Sequence, residues 1–278
     1  MLPIRKGKLI ARLAHGAGDM RRVMAFRRAA FPRVAGVEED AHDALSAHVM
    51  VEGPEGLLAC FRLMLFGWGA GLAQGYAARF YDVGPLSGYA RPIAEIGRFC
   101  VRPGGVHPDV LRLAWGAMTR IVDEGQAGLL VGCTSFRGAG WEAHRAGLSL
   151  LAAEFVGPAE HRPGRKAAEV VGLDLAGPPG DRRAALAGLP PLLRSYLGMG
   201  GWVSDHAVVD RELDTLHVFT CVEVDRVPAA RAASLRAVAG WRAARGAGPG
   251  VSNFKGLAVG VQVSLTPDAA LSRRRGPP

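Results

Sequence analysis

The chain is short of several things, and each shortage narrows what it can be. No apolar run approaches the length that crosses a bilayer, and the opening "MLPIRKGKLIARLAHG" lacks an apolar signal-peptide core. The four cysteines, Cys60, Cys100, Cys133 and Cys221, stand far apart in apolar surroundings without metal-type pairing. Reduced thiols in a cytoplasmic protein are therefore expected, with no disulfide framework and no metal centre. Aromatic residues make up only 7% of the chain and do not interleave with the arginines, so nucleic acid is the weakest of the anionic partners.

What is present is globular. Of 278 residues, 49% are apolar, enough for a real core, and 38 glycines with 18 prolines promise many turns. The net charge of +9 is uneven: from Gly240 onward six Lys or Arg face one acid, Asp268, leaving +4 for the rest. A basic body with a basic tail suits an acidic protein or a phospholipid surface, and suits equally a solvated surface with an unstructured end. Residues 1–240 are read as one domain and 241–278, rich in Gly, Ala, Arg and Pro, as a disordered basic tail.

The patterning predicts a mixed α/β fold. Asp19 is placed to cap a helix through "MRRVMAFRRAAF", stopped by Pro32. "HVMVE", "GPEG" and "LLACFRLMLF" read as a β-hairpin. An irregular stretch leads to the strand "EIGRFCV", the amphipathic helix "HPDVLRLAWGAMTRIVDEG" and the buried strand "LLVGCTSF". Residues 137–191 show weak periodicity, and a β-rich block, "GWVSDHAVVDRELDTLHVFTCVEV", follows. A strand–helix–strand unit after an antiparallel hairpin argues a mixed sheet with helices against it.

The strand "EIGRFCV" carries a carboxylate and a guanidinium that a buried strand does not need. Perfect alternation sets Glu95, Gly97, Phe99 and Val101 on one face and Ile96, Arg98 and Cys100 on the other. Gly97 suggests a bulge instead, which would free backbone N–H groups beside Glu95. Such a site suits acyl transfer, with a carboxylate to take the proton of an amine and N–H groups to hold the oxyanion. Spacing alone leaves a structural ion pair equally open. Arg27 and Phe31 share a helix face, Asp40 and Asp43 sit in "EEDAHD", and Arg62 interrupts an apolar strand. Together they can line a pocket of both charge signs, suited to a zwitterionic amino acid.

In order and internal spacing, "AFRRAAF", "EEDAHD", "ACFRL" and "EIGRFCV" resemble the acyl-homoserine-lactone synthases and the ornithine lipid N-acyltransferases, both of the GNAT-like acyltransferase superfamily. "PRVAGVEE" lacks the tryptophan usual in the synthases, and the block from "LPPLLRSYLGMGGW" onward is similar to the ornithine acyltransferases alone. The resemblance covers about residues 8 to 240. It implies a GNAT-like fold with helices on both faces of a sheet, central strands that splay, and an extended C-terminal β-rich block. It implies Glu95 and Arg98 as catalytic residues, with Arg27, Phe31, Asp40, Asp43 and Arg62 holding the acceptor, L-ornithine. Gly97, Phe99, Cys100, Val101, Ser135 and Phe136 would line the phosphopantetheine arm of an acyl carrier protein, with no tightly bound cofactor.

"RPGGVHPDV" lacks the Gly-rich run that cradles the coenzyme A pyrophosphate, which fits a carrier-protein donor. Arg102, Arg112 and Arg120 flank the strand and its helix and are the candidates for docking that acidic partner. An amphipathic product fits peripheral contact with the inner membrane. Other readings are N-acylation of a different amine, lactone synthesis, and a non-catalytic binder of carrier protein or lipid. A covalent acyl-enzyme on Cys100 or Cys133 is disfavoured by the lack of a nearby histidine. "SDHAVVD" offers Asp205 and His206 as an acid/base pair, with a turn as the stronger reading, and His107 reads as a helix-start residue.

Overall fold

The computed structural model describes residues 3–31, 39–104, 107–178 and 180–240, so the expected tail lies outside the described residues. The chain opens with a small hairpin, β1 (Ile4–Lys6) and β2 (Leu9–Leu13), which the sequence reading missed, and enters α1 (Gly16–Ala30). The expected hairpin follows as β3 (Ala47–Gly53) and β4 (Gly56–Phe66). Short 3-10 turns fill residues 69–86 around β5 (Tyr81–Asp82). Then come β6 (Ile93–Val101), α2 (Pro108–Glu124) and β7 (Leu129–Arg137). The weakly periodic stretch holds α3 (Arg145–Glu154), β8 (Gly164–Arg165), β9 (Val170–Gly172), α4 (Arg182–Gly188) and α5 (Pro191–Leu197). The β-rich block is a hairpin of β10 (Trp202–Asp210) and β11 (Thr215–Glu223), and α6 (Ala229–Val238) closes the described chain.

Among the described residues nine strands form one mixed sheet in the order β1-β2-β3-β4-β6-β7-β11-β10-β9. The β10–β11 hairpin extends it by laying β11 antiparallel on β7 along nine residue pairs, Thr215–Arg137 to Glu223–Leu129. Helix α2 is amphipathic, and Val110, Leu113, Ala114, Met118 and Ile121 bury against Ala94, Ile96, Leu130 and Val222 on one face of the sheet. On the opposite face Val23 of α1 packs with Met50, Cys60 and Cys100. Further along that face, Leu72, Ala77, Tyr81 and Leu86 from the turn region cover Ile93, Val131 and Phe219. Helices therefore lie on both faces, as expected.

Two details depart from the sequence reading. Asp19 is inside α1, not its cap; His15 holds the cap position, and Asp19 accepts its N–H at 2.9 Å. The pair Asp205 and His206 lies within β10, beside a register shift between Val203 and Ala207, and not in a turn. No helix among the described residues is long and apolar enough to cross a membrane.

The feature that makes the site is a parting of strands. β6 and β7 pair in parallel through four rungs, from Ile93–Leu129 to Ile96–Gly132, and then separate, although both run five residues further. Gly132 permits the last rung, since a Cβ there would stand 2.6 Å from the Ile96 carbonyl oxygen. The wedge beyond opens beside Glu95.

Candidate active site

The register of β6 against β4 gives Arg62–Gly97 and then Cys60–Cys100, so Arg98 and Phe99 together oppose Phe61 alone. This is a β-bulge, as the glycine suggested, but the left-handed residue is Arg98, with φ of 52°, and not Gly97. Gly97 serves a different need, because a Cβ there would press on the Arg62 guanidinium at 3.3 Å. The bulge resets the alternation. Phe99 stacks on Phe61 at 5.7 Å and, with Val101, joins the α2 side, while Cys100 joins the α1 side. Glu95 and Arg98 consequently share a face, against the simple alternation.

Glu95 is buried at 2% exposure. The backbone N–H groups of Tyr76 and Ala77 donate to its two oxygens at 2.8 and 2.7 Å. Burial pushes the carboxyl up to about 7, and these two bonds with the Arg62 charge only partly offset it. Gly75 makes the approach possible, since a Cβ there would meet Glu95 Oε2 at 2.5 Å. A carboxylate so poised is half in its basic form near neutrality, which is what a general base requires. Tyr76 and Ala77 were not found from sequence, because backbone donors in an irregular stretch leave no side-chain signal.

Beside Glu95 runs a chain of ions joining five of the expected residues. Arg27 Nη1 donates to Asp43 Oδ1 at 2.7 Å, and Arg62 Nη1 donates to the same oxygen at 2.8 Å. Arg62 Nη1 also reaches Asp40 Oδ1 at 2.5 Å, and Arg98 Nη2 donates to Asp40 Oδ2 at 2.8 Å. Burial pushes the Asp40 and Asp43 carboxyls up, but the guanidinium bonds and charges outweigh it and hold both below the usual range. His48 fixes the far end, with Nε2 2.9 Å from the Asp43 carbonyl oxygen and Nδ1 3.0 Å from Arg27 Nη2. The Tyr76 ring lies under the guanidinium carbons of Arg62, Arg79 and Arg98 at 5.5, 5.5 and 5.0 Å.

Among the described residues three guanidinium groups meet two carboxylates in this chain. Arg62 Nε and Nη2 and Arg98 Nε are buried without a hydrogen-bond partner among the described residues. These unused donors favour an anionic group such as an acceptor carboxylate.

The remaining expected residues are placed less centrally. Phe31 packs in the apolar cluster of Val23, Met50, Cys60 and Cys100, beside the ion chain and not within it. Ser135 is exposed on the Glu95 face of β7, but Phe136 points the other way, into the core with Leu148 and Leu216. The two lie on opposite faces of β7. Arg102 is bound to Glu55 at 2.9 Å, Arg112 to Asp109 at 2.8 Å and Arg120 to Glu124 at 2.8 Å. Each docking candidate is therefore neutralised locally. His107 caps α2, accepting the Asp109 N–H at 3.2 Å. The first turn of α2 holds Asp109, paired with Lys6 and Arg112. Among the described residues no cluster of three or more His, Cys, Asp or Glu is arranged to hold a metal ion.

Residues 21–116, which span α1 to the middle of α2, match the acetyltransferase (GNAT) domain family. That segment and the mixed sheet with helices on both faces give the chain a GNAT-like fold. The chain is related to the L-ornithine N(alpha)-acyltransferase of Rhodobacter capsulatus, with 29% identity over 231 residues, 76% of this chain and 88% of that one. It is 30% identical to the L-ornithine N(alpha)-acyltransferase of Brucella abortus over 156 residues, 55% of each chain. Among solved structures it resembles FeeM, an N-acyl amino acid synthase from uncultured soil microbes, with a TM-score of 0.45 and 10% identity, covering 81% of this chain and 99% of that one.

Proposed function

We propose that the protein transfers a 3-hydroxyacyl chain from acyl carrier protein to the α-amine of L-ornithine, giving a lyso-ornithine lipid. The observation that carries this reading is Glu95, a buried carboxyl raised to about 7 at the point where β6 and β7 part. An α-ammonium has a pKa of roughly 8 in water and must shed a proton before it attacks a thioester. Glu95 takes that proton, directly or through water. The amine nitrogen bonds to the thioester carbonyl carbon, and the carbonyl becomes an oxyanion. The bulge at Arg98 leaves backbone N–H groups off the ladder to receive it. The C–S bond then breaks and the pantetheine thiol leaves with a proton. Arg98 stays protonated and orders the ion chain through Asp40.

A carrier-protein donor is favoured over coenzyme A by the segment before α2, which lacks the Gly-rich run that cradles a pyrophosphate. The relatedness to the Rhodobacter and Brucella enzymes supports ornithine as the acceptor. The test is incubation of the purified protein with 3-hydroxyacyl carrier protein and, separately, ornithine, lysine, glutamine and S-adenosylmethionine, with products read by mass spectrometry. Acyl-ornithine is the expected product. Lactone formation from S-adenosylmethionine, or no turnover with any acceptor, would sink the reading.

A further inference from the structure

The four cysteines are not alike in what stands opposite them. Cys60 of β4 and Cys100 of β6 face each other directly, on the rung that borders the bulge; its other border is the rung Arg62–Gly97. Residues so opposed send their side chains to one face, with Cα atoms about 4.5–5.5 Å apart. A disulfide bridges Cα separations of roughly 4.4–6.8 Å, so this pair is within its span. Cys133 faces Phe219 and Cys221 faces Val131, which makes those two diagonal neighbours only. Diagonal positions are roughly 7–8 Å apart, beyond what a disulfide can close.

Cys60 and Cys100 are free thiols in the apolar cluster beneath α1, with Val23 and Met50. Cys60 is fully buried and Cys100 is 3% exposed, so an oxidant that reaches them has to be small. The positive charge of Arg27 acts on both. Contact with Cys100, aided by that charge, holds the Cys60 thiol below its ordinary value against the effect of burial. Contact with Cys60 and burial lift the Cys100 thiol well above its own. A ready thiolate beside a protonated partner, near a cation, is the setting in which thiols oxidise in pairs.

The pair is also tied to the active site. The Cys100 Sγ–H donates to the Arg98 carbonyl oxygen at 3.2 Å, and Arg98 is the left-handed residue of the bulge. Phe61, which the bulge opposes, lies between Cys60 and Arg62. Joining the two sulfurs would remove the Cys100 proton, and with it the bond that steadies the Arg98 carbonyl.

We propose that Cys60 and Cys100 are a redox modification site, which a peroxide closes to a disulfide that lowers turnover and a dithiol reopens. The Cys60 thiolate attacks one peroxide oxygen, the O–O bond breaks, and the departing hydroxide takes a proton and leaves as water. The Cys100 sulfur then attacks the resulting sulfenic acid, loses its proton, and expels the second water as the S–S bond forms. Two thiols are oxidised and one peroxide is reduced to two waters. The effect on turnover rests on the N-acylation reading; the disulfide does not.

The test treats the reduced, full-length protein with hydrogen peroxide, then alkylates it and maps its peptides without reduction. Alkylatable thiols should fall from four to two, with Cys60 and Cys100 joined in one peptide that has lost two hydrogens. Acyl transfer should drop about 10- to 100-fold and return with dithiothreitol. Cys60→Ser should match the reduced wild type in turnover and keep that turnover after peroxide. Four thiols still open to alkylation, or a cross-link through Cys133, Cys221 or a second chain instead, overturns the site. A Cys60–Cys100 disulfide that leaves turnover unchanged overturns the switch, as does equal loss of activity in Cys60→Ser. If no amine is acylated even by the reduced protein, the acylation reading fails and the wild-type map decides alone. The cross-linked peptide then upholds the site and its absence overturns it, whether or not Cys60→Ser folds.

Discussion

Glu95 and Arg98 stand on one face of β6, although residues three apart on an unbroken strand face opposite ways. The extra residue opposite Phe61 brings this about, and Arg98 takes a left-handed backbone to do it. The result is a base and a cation beside the same wedge, with the Tyr76 backbone on one and its ring on the other.

The first consequence concerns rate. If Glu95 is the proton acceptor, kcat/KM rises with pH through about 7 as its carboxylate forms. Glu95→Gln should lose this step and fall in activity on the order of 10²–10⁴-fold. A Glu95→Gln protein with full activity would remove the base from the mechanism.

The same carboxyl should mark stability. Its pKa is raised in the folded state, so the folded protein binds the proton more tightly than the unfolded chain. That contribution is fully present below about 4.5 and is lost as pH climbs to about 7, by about 3 kcal/mol across the window. Urea unfolding at pH 5 and pH 8 should therefore show wild type weakening relative to Glu95→Gln. Parallel changes in the two proteins would assign the proton to another group.

Asp43 sits between two buried guanidinium groups, Arg27 and Arg62. Asp43→Ala leaves both without that partner and should cost about 3–5 kcal/mol. Because the Asp40 and Asp43 carboxyls are held low, their contribution is present above the usual carboxylate range and is lost as pH falls below it. Acid titration of thermal stability should show wild type losing more than Asp43→Asn.

Covalent catalysis through a thiol makes an opposite forecast. The Cys100 thiol donates to the Arg98 carbonyl at 3.2 Å, and burial pushes the Cys133 thiol well above its ordinary value. Neither has the depressed pKa of a nucleophile. Cys100→Ala and Cys133→Ala should each retain turnover, and no acyl adduct should appear on the protein by mass spectrometry. A trapped thioester on either residue would reverse this.

The charged residues of the site were legible in the sequence because they broke rules: Arg62 inside an apolar strand, Glu95 and Arg98 inside another. Residues that obeyed local rules were not. Tyr76 and Ala77 act through backbone N–H groups in a stretch without periodicity, and nothing in their side chains announces it. Ser135 and Phe136 were read as one lining, yet the pleat sends them to opposite faces. The bulge was foreseen at the glycine and lies one residue on. Gly97 clears room for Arg62, and the turn of the backbone falls to its neighbour.

The parting of β6 and β7 also has a meaning for the sheet itself. A sheet ordinarily has two edges, both at its rim, and an unpaired edge invites any extended chain to add on. Here residues 97–101 and 133–137 create two more edges in the middle of the sheet. They diverge from the last of four closed rungs, Ile96–Gly132, so the gap opens from a paired base. Under the acyl-transfer reading proposed above, these inner edges offer backbone groups to an extended guest, where an outer edge would offer them to another strand.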